Sequence, residues 1–359
     1  AGVFTTNQVR AACVTHNEQQ LKANPYLQAI IANSGNANAC TGQQGLLDNQ
    51  AMQAHTAAAL GLQPNAVATA STGVIGVQMP MDTLQAGIDA VAKQLSVAGA
   101  ADFSEAILTT DTCTKEVAVE LEIDGKKVTI GGVAKGSGMI HPNMATMLAF
   151  VTSDAAVEPG ALQRLLSRTT DQTYNRITVD GDTSTNDMVL VMANGLAGNE
   201  ALNEEHPQWE PFATAFRYVS ETLAKMIARD GEGATKLLEV HVSGAATEKL
   251  ATTIAKSIIG SSLVKTAVYG ADANWGRILA AVGYAGVPFD PSRVDIWLGK
   301  IQVAANGMGI AFDEEAAKEY LLGDPVAIIV DLKQGNASST AYGCDLTYDY
   351  VRINASYRT

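Results

Sequence analysis

A threonine hydroxyl can attack the carbonyl of the peptide bond that precedes it, forming an ester that water opens. The new N-terminal threonine then carries a nucleophilic Oγ1 beside its own α-amine. Thr146 has a context that suits this chemistry: it stands where Gly136-Ser137-Gly138-Met139-Ile140-His141-Pro142-Asn143-Met144-Ala145, too irregular for a helix, meets the apolar run Met147 to Val151. Such chemistry would cut the chain between Ala145 and Thr146. An α-amine titrates near about 7.7–8.0, so a usable fraction is neutral in the cell and can take the hydroxyl proton without a separate histidine. A threonine at a loop-to-strand junction also has an ordinary role, packing its methyl or capping a backbone group, and local context leaves both readings open.

Acyl transfer needs donors aimed at the developing oxyanion. Thr72-Gly73 offers a hydroxyl and an unobstructed backbone N–H in a Gly-punctuated turn, although Gly73 and Gly76 equally suit a plain tight turn. Lys135, upstream of Thr146 in the same loop, could bring an ammonium to a substrate carboxylate or to the α-amine of Thr146, with a surface lysine as the alternative. Glu232 lies between two glycines just after a helix should end, where a carboxylate is either exposed or employed. The loop does not meet the phosphate-cradling pattern, because Lys135 precedes Gly136 and His141 occupies the last glycine position of G-x-G-x-x-G. Asp180 to Asp187 resembles a calcium loop but carries Thr185 and Val191 where such loops need Gly and Glu. The five histidines never form H-E-x-x-H, so no metal is expected.

The longer string Lys135 to Phe150 resembles the processing-site signature of the ornithine acetyltransferase family, also called glutamate N-acetyltransferases. The similarity extends through Ser71-Thr72-Gly73-Val74-Ile75-Gly76, Thr109-Thr110-Asp111-Thr112, Val179 to Asp187, Arg229 to Lys236, Asp272 to Arg277 and the tail Val351 to Thr359. It thus covers essentially the whole chain. The resemblance implies Thr146 as nucleophile, Thr72 and Gly73 as oxyanion donors, and Thr109, Lys135, Thr146, Glu232, Asn354 and Thr359 as substrate contacts, with Thr110 as the alternative to Thr109. The implied reaction is ping-pong: acetyl passes from N-acetylornithine to Thr146 and then to glutamate, a step of arginine biosynthesis. No diffusible cofactor is implied, though some members accept acetyl-CoA as a donor. An assembly of two N-terminal and two C-terminal fragments (α2β2) is implied as well. Members of that family begin some tens of residues upstream with a Gly-rich segment, whereas this chain starts at Ala1, so a trimmed form is expected.

Two other readings stay open at the level of residues. A self-processing amidase or aminopeptidase would use the same nucleophile with water as acceptor, and suppression of hydrolysis by glutamate would tell it from a transferase. A non-catalytic amino-acid-binding protein would never be cut at Thr146.

The elements that must position these residues are visible in the pattern. Glu116 to Ile123 alternates, Asp124-Gly125 turns, and Val128-Thr129-Ile130 returns, predicting a hairpin whose second strand feeds the loop before Thr146. Met147 to Val151 reads as a central strand, and Met188 to Met192 as another. Helices are predicted at 46–60 closed by Gly61, at 84–95 behind Asp82 as N-cap, at 159–172 and at 212–228. From about residue 236 the texture changes to strand (237–242), helix (250–258), strand (264–269), helix (275–282), hairpin (294–303 about Gly299) and strand (326–332). Hairpins mixed with helices predict stacked antiparallel or mixed sheets covered by helices. The resemblance implies an α+β fold of this kind, a layered α/β/β/α sandwich over residues 1–235, with a smaller α+β C-terminal domain, residues 236–359, whose tail returns to the site. A net charge of −13 without a dense basic cluster excludes a nucleic-acid footprint. Apolar runs fall short of the ~20 residues of a membrane span, so a cytoplasmic protein is expected. Cys13, Cys40, Cys113 and Cys344 show no C-x-x-C spacing and read as reduced, mostly buried thiols.

Overall fold

A computed structural model describes residues 1–141 and 147–356. The described chain divides into two compact units, residues 1–175 with 182–223, and residues 176–181 with 224–356. In order, the first unit contains β1 (Gly2–Phe4), α1 (Ala12–Ala23), β2 (Ala29–Asn33), α2 (Gly42–Leu60), β3 (Val67–Ser71), α3 (Met81–Ala92), α4 (Ala100–Ala106), β4 (Lys115–Ile123), β5 (Lys126–Lys135), β6 (Leu148–Ser153) and α5 (Pro159–Gln172). The short β7 (Ile177–Thr178) belongs to the second unit; β8 (Met188–Ala193) and α6 (Trp209–Arg229) follow.

One five-stranded sheet, ordered β1-β8-β6-β5-β4, and the parallel pair β2-β3 make the two sheet layers of the first unit. The hairpin expected from the alternation is present, with Lys115 to Ile123 of β4 paired against Ala134 to Lys126 of β5. β6 lies in the middle of the sheet, antiparallel to β5 and parallel to β8. A strand covered on both faces needs no alternation, which is why Leu148, Ala149, Phe150 and Val151 are all apolar and all buried. Leu148 and Phe150 pack with Met188, Leu190, Ala68, Ala70 and Val14, joining the large sheet to β3 and α1. Beyond β2-β3, Met52 and Ile88 of α2 and α3 pack against Ile31 and Leu84. On the opposite face of the large sheet, Leu223 and Val219 of α6 press against Gly132 of β5. The layering is therefore α/β/β/α, and the fold is α+β.

The second unit contains β9 (Leu237–Ala245), α7 (Glu248–Ile259), α8 (Ser262–Tyr269), α9 (Trp275–Gly283), β10 (Asp295–Leu298), β11 (Ile301–Ala305), β12 (Met308–Gly309), α10 (Glu314–Leu321), β13 (Val326–Asp331), β14 (Ala337–Cys344) and α11 (Tyr348–Ser356). Its seven-stranded sheet is ordered β12-β11-β10-β13-β9-β14-β7. Leu238, Val240 and Val242 of β9 alternate inward against Ile254 and Ile258 of α7.

Several expectations need correction. Residues 264–269 form part of helix α8, not a strand: Ser261 caps its N-terminus by accepting from the Val264 N–H, and a short apolar run cannot by periodicity be told from a buried helix. Asp82 lies in the first turn of α3, which starts after Pro80 and ends at Ala92. Val91 and Leu95, expected on the packed stripe, are 48% and 70% exposed and line a cavity of about 470 Å³ with Ile30, Leu84, Phe103 and Ile107. Cys40 and Cys113 are exposed, and only Cys13 and Cys344 are buried. The expected boundary at 235/236 falls inside the second unit. Thr235 and Lys236 are tied there through Asp345, whose carboxylate accepts from both backbone N–H groups, and residues 176–181 enter because Ile177 and Thr178 pair with Tyr342 and Gly343.

A side chain at Gly132 would meet Leu223 Cδ1 at 2.9 Å and Val219 Cγ1 at 3.1 Å. Gly132→Val should cost about 1–3 kcal/mol of stability through overpacking, visible as a Tm lower by several degrees in thermal denaturation. An unchanged Tm would show that α6 yields freely.

Candidate active site

Lys135 ends β5 opposite Leu148 of β6, so sheet pairing fixes where its backbone stands. Its side chain is 10% exposed, which removes the surface-lysine alternative. The Nζ donates to Thr109 Oγ1 at 2.9 Å and to Thr72 Oγ1 at 3.4 Å. Three residues picked out on separate parts of the sequence thus meet at one ammonium.

Thr72 and Gly73 follow β3 in a turn pinned on both sides, with the Thr72 N–H donating to Asn33 O and the Val74 N–H to Gly35 O. Gly73 has φ +130°, and a Cβ there would stand 2.3 Å from the Gly35 carbonyl carbon and 2.6 Å from Asn36 N. Only glycine fits so close to a neighbouring backbone. The turn therefore requires Gly73 for steric reasons whatever else its N–H does.

Asp111 is the hub behind Lys135. Its Oδ1 accepts from Lys115 Nζ at 2.7 Å and from the Gly136 N–H at 2.6 Å, and its Oδ2 accepts from the Thr109 N–H at 3.2 Å. Lys135 Nζ is 3.8 Å from Oδ2. The side chains of Asp111 and Lys115 are both fully buried. Burial works to raise the Asp111 carboxyl, but the Lys135 and Lys115 ammoniums outweigh it and hold the group below the ordinary aspartate range.

Asp187, just before β8, presents a second carboxyl to the same charge. Burial pushes it well above the usual carboxylate range, against the attraction of Lys135 and a hydrogen bond from the Met147 N–H. Its Oδ2 has no hydrogen-bond partner among the described residues.

In the second unit, Glu232 is 7% exposed and accepts from Asn354 Nδ2 at 2.7 Å. The adjoining Gly233 has φ +70°, and a Cβ on it would lie 2.6 Å from Tyr350 N, while Thr347 Oγ1 donates to Gly233 O at 2.7 Å. The loop after α6 and the helix α11 are thus fitted together, backbone against backbone.

The structure accordingly gathers Thr72, Gly73, Thr109 and Lys135 within one unit, and Glu232 with Asn354 within the other. Ala145, Thr146 and Thr359 lie outside the described residues. Sequence reading gave no role to Asp111, Lys115 or Asp187. The first two carry a legible signal, an acid and a base four residues apart beside a candidate contact; Asp187 carried none beyond a calcium-like string.

The ArgJ family model matches residues 1–359. The arginine biosynthesis bifunctional protein ArgJ of Symbiobacterium thermophilum is 58% identical over 359 residues, spanning 100% of this chain and 89% of its own. Its counterpart of the same description in Bacillus subtilis is 54% identical over 359 residues, spanning 100% and 88%. Among solved structures, the arginine biosynthesis bifunctional protein ArgJ from Bacillus halodurans is 58% identical with a TM-score of 0.57, covering 58% of this chain and 98% of that one.

A carboxyl raised in the fold is favoured as the neutral acid, so it costs stability once pH climbs above the unfolded value of about 3.9. The cost grows until the folded carboxyl also ionises. Asp187→Asn removes that cost, keeps an acceptor for Met147, and puts an amide where Oδ2 lacks a partner. The Tm of the Asn variant relative to the parent in melting curves should therefore rise as pH climbs from about 4. A difference constant with pH would contradict the raised carboxyl.

Proposed function

This chain belongs to the ArgJ family, and from that premise we propose that it is a glutamate N-acetyltransferase of arginine biosynthesis that carries acetyl on Thr146 after cutting itself at Ala145/Thr146. The observation that carries the reading is the buried Lys135 ammonium held on the hydroxyls of Thr72 and Thr109.

In maturation, Thr146 Oγ1 adds to the Ala145 carbonyl, the Thr146 nitrogen leaves as an amine, and water hydrolyses the resulting ester. In transfer, the freed α-amine takes the proton from Oγ1 as it attacks the acetyl carbonyl of N-acetylornithine. Charge builds on the carbonyl oxygen, where the Thr72 hydroxyl and the Gly73 N–H are the donors, supported by the ammonium beside Thr72. The same amine returns the proton to the departing ornithine nitrogen, leaving acetyl-Thr146. The glutamate amine then attacks the ester and regenerates the hydroxyl. Acetyl-CoA serves as a second donor in this reading, since its thioester offers the same carbonyl; the description of the relatives as bifunctional supports this. The enzyme needs no other cofactor. The family resemblance adds Glu232, which is paired with Asn354, and Thr359 as proposed substrate contacts, the Glu232 carboxylate suiting an ammonium group of ornithine.

The sheet register supports survival of the cut chain as one body. β1, β4 and β5 lie before the cut and β6 and β8 after it, yet Ile130 to Lys135 pair with Ser153 to Leu148 across it, and β1 pairs with β8. Separating the fragments would break two strand interfaces inside a buried sheet. Two such cut chains associating as α2β2 completes the proposal. Among the described residues no helix is long and apolar enough to cross a membrane.

Intact-mass and N-terminal sequencing of the purified protein should give two fragments, the second beginning Thr-Met-Leu-Ala. Thr146→Ala should leave one chain with no acetyl transfer. A single chain from the parent, or transfer by the Ala variant, would defeat the mechanism.

Thr72→Ala in fully cut protein should lower kcat by about 10²–10³ with little change in KM, as for loss of an oxyanion donor, whereas Glu232→Ala should chiefly raise KM. A cut Thr72→Ala enzyme with parental kcat would reduce Thr72 to a turn residue.

A further inference from the structure

Two lysines converge on one carboxylate, and they are not equivalent. Lys115 Nζ lies 2.7 Å from Asp111 Oδ1, a direct charge-assisted hydrogen bond, while Lys135 Nζ stands 3.8 Å from Oδ2 and spends its donors on Thr109 and Thr72. An isolated buried aspartate beside a buried lysine closes to a direct pair, because that satisfies both charges at once. Here Lys115, fully buried and also donating to Cys113 O at 3.2 Å, holds Oδ1 in place. The other bonds of Asp111 surround Lys135: one from the N–H of Gly136, the next residue, and one from the N–H of Thr109, whose hydroxyl accepts a hydrogen bond from the Lys135 ammonium.

We propose that Asp111, anchored by Lys115, is a positioning residue for Lys135: it keeps that ammonium charged in a buried place and keeps it aimed at Thr72 and Thr109 rather than collapsed onto a carboxylate. Asp111 acts through Lys135 and touches no substrate. The inference deepens the acetyl-transfer reading and rests on it for the kinetic part alone. Among the described residues, Asp111 from the segment before β4 and Lys115 from β4 are the charged groups gathered with Lys135, and the Asp187 carboxyl, held toward its neutral form by burial, faces it from the segment before β8. Removing the first should make Lys135 easier to deprotonate, and removing the second should make it harder, with Asp187 unchanged as a background in both.

The test uses full-length protein carrying 13Cε-lysine, with the Lys135 resonance assigned through a Lys135→Arg control, titrated by NMR. Asp111→Asn, which keeps the shape and an acceptor, should lower the Lys135 midpoint by about one pH unit or more, the effect of an opposite charge within a few ångströms. Lys115→Met, which keeps the length and apolar stem, should move it in the opposite direction. In kinetics, Asp111→Glu should recover more kcat/KM than Asp111→Asn, and Lys115→Met should raise KM, because Lys135 is then free to pair directly with Asp111. Opposite midpoint movements in the two variants support the proposal even if no acetyl transfer is found, in which case only the reaction assigned to the site fails. Midpoints that do not move, or that move together, overturn it and leave Asp111 and Lys115 as a structural ion pair. Should Asp111→Asn not fold, Lys115→Met alone decides: an unmoved or lowered Lys135 midpoint overturns the proposal.

Discussion

A lysine ammonium taken out of water must be both balanced and hydrogen-bonded, and the first unit is arranged around meeting that demand at Lys135. The balance comes from Asp111 and the hydrogen bonds from Thr72 and Thr109. These partners arrive from two places, the turn after β3 and the segment after α4, and meet Lys135 at the end of β5. Each is there because something rigid delivers it. Thr72 is held by the β3 turn, which glycine alone can make at position 73; Thr109 by the Asp111 carboxylate; Lys135 by its register opposite Leu148. Loss of any one leaves a charge or a donor buried without its counterpart.

The same register bears on the proposed cut, because it would hold the two fragments in one sheet. The strand that follows the loop is the middle strand of the sheet, buried on both faces and bonded on both edges. A strand so placed is held by its neighbours, and continuity of the backbone before it adds little. Asp187 belongs to this arrangement: its carboxyl receives the Met147 N–H at the point where the chain enters β6, at the cost of burying an acid that Lys135 only partly compensates. Such a costly group facing the Lys135 ammonium is consistent with a place where chemistry, and not stability, sets the residue.

In the second unit the corresponding constraint is steric. Gly233 lies so near the backbone of Asp349 and Tyr350 that no side chain fits, and Thr347 bonds its carbonyl. That contact seats α11 beside the loop that carries Glu232 and brings Asn354 within 2.7 Å of its carboxylate. The exposed, solvated glutamate that composition would suggest is instead a buried one with a fixed amide partner.

The sequence by itself determined the elements whose signal is local. The β4–β5 hairpin, α5, α6 with its apolar stripe, the continuous apolar strand β6, and the Gly61 stop of α2 were all legible, because periodicity, turn residues and caps act over a few neighbours. The long signature strings also named Thr72, Gly73, Thr109, Lys135, Glu232 and Asn354 as residues of interest. Only the tertiary structure decided which of these meet. α8 became a helix through a serine cap and burial that a short apolar run does not announce, and β7 joined the second unit by pairing with a strand remote in sequence. The gathering of Asp111, Lys115 and Lys135, and the raising of Asp187, depend on burial and on groups brought together from separate segments. Charge balance in a low-dielectric interior is a property of neighbours in space, and beyond the four-residue spacing of Asp111 and Lys115 nothing along the chain encodes it.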